Sequence, residues 1–467
     1  MLRILKYLPV IAFTFVAASM NGQQASKNAS VETGRIIDSV FIKGGGESFA
    51  LYLPEKFSRQ KSHPLILIFD PMARGTNGIK PFVLSSKTHG YILACSNNAR
   101  NGPYAPNQAI AERMYKEVAS MFNIDENRIY TAGFSGGSRL ASRMAMINDA
   151  ITGVIACGAG LPEGSEYELL TSRFHYAGII GNKDMNFIEF QDLKRVLSKM
   201  SFPHDVITTG LDHRWPEPES VLMATDWLQL EFFKSYPGKK SDSTIEQAYL
   251  RAYAYLRRHE ELGHLVETAE AYNRLLLNYR RYMDLDSISA ERDALLGSRA
   301  YRSEKRTFDA SLEEERLLTT EFWDRFDSDK ASPGADLKWW RRQFEKLDSK
   351  AGNDNRHYQN MRERLKYKIF AHSLETARFR TLPDAYAQKE FCYDLCTLIY
   401  PKYYYPYFLQ MELALEQGDK KKALDRPKLM LENGYNDRDR LLSSEVGRQL
   451  AAEKEFMSLI DGIKSSQ

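Results

Sequence analysis

The segment from Tyr130 to Leu140 contains a serine, Ser135, that lies between Gly133 and Gly137 in the pattern Gly-x-Ser-x-Gly. Serine in this pattern is the nucleophile of many hydrolases, because the tiny flanking residues allow a sharp turn that exposes the hydroxyl. The pattern is short enough to arise by chance in a chain of 467 residues. Its meaning therefore depends on the elements around it and on whether an acid and a base follow.

The elements around the serine have the order that a nucleophile elbow requires. An apolar, β-rich run, Arg128–Ala132, precedes it, and a helical pattern begins near Gly137. In such a strand–turn–helix the N–H of the next residue, Gly136, points at the developing oxyanion. The positive end of the helix adds to that field. Gly136 is therefore one predicted oxyanion donor.

A serine hydroxyl needs a base to become a good nucleophile. In hydrolases whose serine lies on such a strand–turn–helix elbow, the acid and then the histidine follow the serine along the chain, in loops after later strands. Asp184 and His213 each follow a predicted strand directly, whereas the other histidines after Ser135 precede strands or lie in the second half. We therefore predict a Ser135–His213–Asp184 triad. Asp212 is the rival acid, but it would have to turn back on its own neighbour.

The loop after the third predicted strand, Asp70-Pro-Met-Ala-Arg-Gly75, should supply the second oxyanion donor. Pro71 has no N–H, so Met72 is the predicted donor and Ala73 the alternative.

Three further features at the same edge are candidates for substrate contact. Arg74 could meet an anionic or carbonyl group, although an exposed loop arginine is equally consistent. Trp215, next to the histidine segment, could line the acyl or leaving-group pocket or pack in the core. The polar loop 96–102 could bind a hydroxylated substrate or be an ordinary turn.

Short apolar runs alternate with helical patterns through the first half, which predicts an α/β domain over residues 35–236 with a mostly parallel sheet covered on both faces. The predicted strands are Ser39–Lys43, Ser48–Leu53, Pro64–Phe69, Tyr91–Cys95, Arg128–Ala132, Gly153–Cys157, Tyr176–Ile180 and Asp205–Thr209. The predicted helices are Asn107–Phe122, Gly137–Ile147, Ile188–Met200 and Val221–Phe233.

The second half has a different pattern. The polar stretch 237–243 is typical of a linker. In residues 244–467 the apolar residues recur at helical spacing, and there are almost no β-rich runs. The segment 405–424 resembles the helix–turn–helix of tetratricopeptide repeats, with a turn at Gly418-Asp419. We expect either an irregular helical array used for contacts with a protein or glycan, or a plain helical domain that packs on the first.

The first 24 residues have the basic start, apolar run and polar end of a secretory signal peptide. An uncleaved anchor is the alternative, although the apolar run is short for a membrane span. We therefore expect a periplasmic or secreted bacterial protein whose mature form has no transmembrane anchor.

Composition excludes some classes of partner and cofactor. The formal net charge is +3, with 64 basic and 61 acidic residues, which gives no case for a nucleic-acid partner. Four cysteines do not make a disulfide framework in a chain of this size. The Cys392–Cys396 pair lacks further ligands at metal spacing, which favours structural packing over a metal site. A Ser–His–Asp mechanism needs no metal or organic cofactor, so we expect neither.

Three motifs carry a resemblance to a known family: Tyr52-Leu-Pro, the run Asp125–Gly137, and His213-Arg-Trp-Pro. Over roughly residues 35 to 235 the chain resembles the compact α/β-hydrolase esterases, in particular the polyhydroxybutyrate depolymerase and feruloyl-esterase type. The resemblance implies an α/β-hydrolase three-layer sandwich with His213 as the base. The chain departs from it at Asp70-Pro-Met, where many relatives carry His-Gly.

Together these features predict a serine hydrolase that cleaves a small or polymer-linked carboxylic ester through an acyl-enzyme on Ser135. A peptidase of the same fold is one alternative. A catalytically spent hydrolase scaffold, whose helical half binds a partner protein, is another. We expect no large lid, and the helical half has two possible roles: covering the site or recruiting a polymeric substrate.

Overall fold

A computed structural model describes residues 32–332, 336–352, 355–379, 385–461 and 463. The predicted signal peptide, residues 1–24, lies outside the described residues. Eight strands form a single sheet in the order β1-β2-β4-β3-β5-β6-β7-β8. In chain order they are β1 (Ile36–Phe41), β2 (Ser48–Tyr52), β3 (His63–Phe69), β4 (Ile92–Ser96), β5 (Ile124–Phe134), β6 (Gly153–Cys157), β7 (His175–Gly181) and β8 (His204–Thr209).

The sheet is mostly parallel, as predicted. Strands β4, β3, β5, β6, β7 and β8 pair in parallel, while β1 and β2 pair antiparallel at one edge. Every residue of β3 is buried, because helices cover both faces of a parallel sheet and its strands become continuous apolar runs. The carboxyl ends of the parallel strands meet at one edge, where the loops after β3, β5, β7 and β8 come together.

Helices cover the sheet on both faces and give the expected α/β-hydrolase sandwich of three layers. One apolar core joins α3, α4 and α5 to one face, and a second joins α6 and the short segments after β3 to the other. The segments after β3 were not among the predicted helices. The helices of this half are α1 (Gly75–Ile79), α2 (Val83–His89), α3 (Tyr104–Met121), α4 (Gly136–Ile147), α5 (Phe187–Lys199) and α6 (Pro218–Ser235), with 3-10 turns at Lys80–Phe82 and Glu166–Leu170.

The second half is all helical in the described residues, as predicted. A 3-10 turn, Pro237–Lys239, connects α6 to α7, which begins two residues before the predicted start of the helical region. The helices are α7 (Asp242–Glu261), α8 (Leu265–Tyr279), α9 (Asp286–Gly297), α10 (Arg299–Ala331), α11 (Lys338–Ala351), α12 (Arg356–Phe379), α13 (Tyr386–Ile399), α14 (Tyr405–Glu416), α15 (Lys420–Glu432), α16 (Arg438–Ser443), α17 (Glu445–Leu450) and α18 (Lys454–Asp461). Helices α14 and α15 pack as a pair on either side of Gly418. No helix in the described ranges has the length and apolar character needed to cross a bilayer.

Buried polar contacts join the two halves. The guanidinium of Arg274 on α8 forms two hydrogen bonds with Asp205 on β8, at 2.7 and 2.6 Å, and both side chains are largely buried. The hydroxyl of Tyr255 on α7 donates to the carbonyl of Thr208 at 2.6 Å. Together with the apolar cluster shared by α6, α7 and α8, these charge-assisted and backbone hydrogen bonds join the helical half directly to the sheet domain.

Candidate active site

Ser135 lies on the turn between β5 and α4 and has a backbone conformation that few residues other than glycine adopt. Its φ is 54° and its ψ is −123°. The flanking glycines are required by close contacts: a Cβ on Gly133 would lie 2.1 Å from the carbonyl oxygen of Gly137, and a Cβ on Gly137 would lie 2.1 Å from that of Phe69. The elbow is therefore tightly packed, and the strain at Ser135 is kept in place by its surroundings.

The structure brings the three predicted triad side chains together. The Nε2 atom of His213 lies 3.0 Å from Oγ of Ser135, and its Nδ1 atom lies 2.9 Å from each carboxylate oxygen of Asp184. Asp184 is 1% exposed and also accepts the N–H of Asn186 at 2.9 Å. A carboxylate only accepts hydrogen bonds, so the imidazole proton lies on Nδ1 and Nε2 is left to accept the serine hydroxyl.

Backbone contacts between two neighbouring loops set the positions of the acid and the histidine. The N–H of Asn182 donates to Thr209 at 2.8 Å, and that of Lys183 donates to Leu211 at 3.1 Å. A Cβ on Gly181 would lie 2.1 Å from the carbonyl oxygen of Leu211, so the close approach requires glycine there. The rival acid, Asp212, pairs with Arg214 instead of His213.

Trp215 packs beside the histidine. Its ring centroid lies 5.4 Å from that of Phe134 and 5.9 Å from that of Phe82, and Phe134 in turn packs on His213 at 4.7 Å. The indole N–H donates to Asp70 Oδ2 at 2.9 Å. Trp215 is only partly buried, and its contacts fit both interpretations open for it, the pocket wall and the core.

Asp70 is fully buried and holds the loop after β3 by accepting several hydrogen bonds. Its Oδ1 accepts the N–H of Met72 at 2.9 Å, and its carboxylate accepts Nε and Nη2 of Arg74 at 3.0 and 3.1 Å. Burial by itself would raise the pKa of Asp70, but hydrogen bonds from Arg74, Trp215 and Met72 outweigh it and leave that pKa lowered. The loop is therefore organised around a buried carboxylate.

This arrangement changes what the loop can offer a substrate. The N–H of Met72, the predicted second oxyanion donor, is already bound to Asp70, and the N–H of its alternative, Ala73, donates to the Asp70 carbonyl at 3.0 Å. Arg74, predicted to contact substrate, is paired with the same carboxylate. The physical reason is that an aspartate side chain readily accepts the N–H two residues later, which a His-Gly sequence does not do.

The N–H of Gly136 remains well placed for an oxyanion. It belongs to the first residue of α4, where backbone donors have no acceptor within the helix. The side-chain amide of Asn101 packs on the same residue, since a Cβ on Gly136 would lie 2.0 Å from Asn101 Oδ1 and 3.4 Å from its Nδ2. The N–H of Asn101 donates to the carbonyl of Pro71 at 2.8 Å, which ties this residue to the loop after β3. Both Asn101 and Gly136 border a cavity of about 190 Å³. The sequence pointed to Asn101 only through the polar loop 96–102.

The helical half contributes two contacts that the sequence did not predict. The ring of Tyr367 on α12 lies 5.8 Å from the ring of His213, measured between centroids. Arg364, one helical turn earlier, donates to the carbonyl of Asn182 at 2.5 Å and to Oε2 of Glu315 at 2.8 and 2.5 Å. Arg364 is 2% exposed and Glu315 is fully buried. Helix α12 therefore holds the loop that carries Asp184, through the hydrogen bond from Arg364 to Asn182.

No cluster of histidine, cysteine and carboxylate side chains suited to a metal ion occurs among the residues that the structure describes. All four cysteines are buried and unbridged.

No family model matches the chain, and no curated protein matches it. Solved structures similar to it include Est1E from Butyrivibrio proteoclasticus, at 14% identity over 42% of this chain and 100% of that one, with a TM-score of 0.35. A fluorophosphonate-binding serine hydrolase of Staphylococcus aureus is 15% identical over 42% of this chain and 96% of that one, also at 0.35. A fungal esterase from Rhizomucor miehei is 11% identical over 45% and 87%, at 0.36. With TM-scores below 0.5, these likenesses add nothing to the geometry, and function is inferred from the site alone.

Proposed function

We propose that the protein is a serine hydrolase that cleaves carboxylic esters, with Ser135 as nucleophile, His213 as base and Asp184 as the group that orients the histidine. One observation carries this proposal. A serine on a strained strand–helix turn lies 3.0 Å from Nε2 of a histidine whose Nδ1 is held by a buried carboxylate. This chain of contacts is what nucleophilic activation of a hydroxyl requires.

In the proposed reaction, Oγ of Ser135 attacks the ester carbonyl carbon while its proton passes to Nε2 of His213. The resulting oxyanion accepts the N–H of Gly136. Because the N–H of Met72 is bound to Asp70, we assign the second donor to the side-chain amide of Asn101. Nε2 then gives the proton to the leaving alcohol, and water, activated by the same histidine, hydrolyses the acyl-enzyme.

The complete set of contacts argues against a catalytically spent scaffold, since a chain without catalysis has no need to keep a strained serine. A peptidase of the same fold uses the same groups and differs only in the bond cleaved.

We also propose that the protein is exported to the periplasm or the medium. The support for this is the signal-peptide pattern of residues 1–24.

Labelling with a fluorophosphonate probe tests the proposal directly. Wild type and the control Ser120→Ala, an exposed serine on α3, should label, and Ser135→Ala should not. Turnover of 4-nitrophenyl butyrate should follow the labelling. Equal labelling of wild type and Ser135→Ala would refute the assignment, and turnover of peptide anilides in preference to the ester would favour the peptidase.

A further inference from the structure

A cleft of about 600 Å³ lies between α5 of the sheet domain and helices α10 and α12 of the helical half. Apolar side chains from Leu161, Met185 and Ile188 form one wall. On the opposite wall the rings of Trp323 and His372 meet edge to face, with centroids 4.5 Å apart. This volume and mixed lining are those of a site for a small organic group.

The cleft lies beside the histidine end of the triad. Met185 follows Asp184 directly in the chain, and the neighbouring Asn186 donates to the carbonyl of Gly158 at 2.7 Å. Glu375 lines the cleft on α12, about two helical turns after Tyr367, whose ring lies 5.8 Å from the ring of His213. The leaving alcohol receives its proton from the histidine, so this part of a bound ester must lie on the histidine side of the serine.

Lys368 also lines the cleft, and it is the cation there whose charge is not balanced by a close carboxylate. Its Nζ atom lies 3.5 Å from Oγ1 of Thr319, and no carboxylate oxygen of the described residues lies within 4 Å of it. Glu315 attracts it, but that carboxylate already accepts two hydrogen bonds from Arg364.

Two of the three acidic side chains in the lining are paired with arginines, and burial raises the pKa of the third, Glu375, which favours its neutral form. Glu189 binds Arg139 through both oxygens, at 2.8 and 2.7 Å, and Asp192 binds Arg316 at 2.7 and 2.8 Å. Burial lowers the pKa of Lys368, which means that its ammonium group has lost hydration without gaining an equal counter-charge. An anion in the cleft would restore that balance.

We infer that this cleft binds the leaving-alcohol part of the substrate, and that this part is an apolar or aromatic group ending in a single anion that pairs with Lys368. This inference rests on the proposed function. In the reaction the bond between the carbonyl carbon and the alkoxy oxygen breaks, a bond from that carbon to Oγ of Ser135 forms, and the serine proton ends on the leaving oxygen. Trp323 and His372 flank the ring or chain, and Lys368 holds the distal anion.

Two esters of matched size test the inference: 4-(butanoyloxy)benzoic acid, whose leaving group is anionic, and 4-(butanoyloxy)benzamide, whose leaving group is neutral. Wild type should favour the acid in kcat/KM by about tenfold or more. Lys368→Met should remove the preference and Lys368→Arg should keep most of it. Lys346→Met, an exposed lysine on α11, should behave as wild type.

Equal kcat/KM for the two esters in wild type, or a preference that survives in Lys368→Met, would overturn the inference. It would also be overturned if Lys368→Met lowered the melting temperature and reduced turnover of both esters equally, since Lys368 would then only balance Glu315. Calorimetric binding of 4-hydroxybenzoate to Ser135→Ala, with 4-hydroxybenzamide as control, separates the two proposals. If wild type hydrolysed neither ester, while Ser135→Ala bound 4-hydroxybenzoate and the added change Lys368→Met removed that binding, the esterase would be refuted and the anion site would stand.

Discussion

Replacing Arg364 by methionine should destabilise the protein strongly, because Arg364 is the partner of a fully buried carboxylate. With Arg364 at 2% exposure and Glu315 at 0%, the substitution leaves the charge of Glu315 without its arginine in the interior. Removing one partner of such a pair costs about 3–5 kcal/mol of unfolding free energy. The control is Arg362→Met, whose partially exposed ion pairs should be worth less than about 1 kcal/mol.

The double variant Arg364→Met/Glu315→Leu separates stability from catalysis. Replacing both charges by apolar side chains should return most of the lost stability. It should not return full activity, because the carbonyl of Asn182 still lacks the donor that holds the loop of Asp184. A displacement of about 1 Å at the triad can cost about a hundredfold in rate, so we expect kcat to fall 10- to 100-fold with KM changed little.

Urea unfolding followed by both tryptophan fluorescence and far-ultraviolet circular dichroism measures stability and shows whether the two halves unfold together. Turnover of 4-nitrophenyl butyrate at a temperature where every variant is folded measures catalysis. If Arg364→Met changed the free energy of unfolding by less than about 0.5 kcal/mol, Arg364 and Glu315 would not behave as a buried ion pair. If the double variant recovered both stability and kcat, α12 would have no part in positioning Asp184.

Three further outcomes are expected. Asp184→Asn should keep the fold and lower kcat by about 10⁴-fold, since the amide holds the wrong tautomer of His213; a loss below tenfold would remove Asp184 from the triad. Asn101→Ala should lower kcat by about 10²–10³-fold with little change in KM, whereas Met72→Ala, which keeps its N–H, should not; equal effects would refute the assignment of the second oxyanion donor. Burial alone would raise the pKa of Glu304, but the hydrogen bond with His357 and the charge of Arg356 outweigh it and lower that pKa from 4.5 to about 2. Because Glu304 is partly exposed and solvent screens its interactions, it contributes about 1–2 kcal/mol above pH 4.5, and this contribution is lost as the pH falls towards 2. Melting temperatures of wild type and Glu304→Gln should converge over that window, and a constant gap would contradict the shift.

The sequence predicted the sheet domain well because its signals are local. Continuous apolar runs such as Pro64–Phe69 and Gly153–Cys157 identify buried parallel strands, and all eight predicted strands overlap strands of the structure. The short helices α1 and α2 were missed, because segments of five and seven residues carry too few apolar positions to show a period. The triad side chains could be proposed from order alone, since loops after parallel strands converge at one edge of a sheet.

Tertiary structure decided everything that depends on which side chain reaches which group. The sequence indicated that the loop after β3 should supply an oxyanion donor. Only the folded chain shows the Met72 amide and the Arg74 side chain bound to Asp70, with Asn101 lying against Gly136. The same holds for Arg364, which contacts the acid loop from 182 positions further along the chain. Strands and turns follow from short-range sterics and hydrophobic pattern, whereas hydrogen-bond partners are chosen by distances that exist only once the chain is packed.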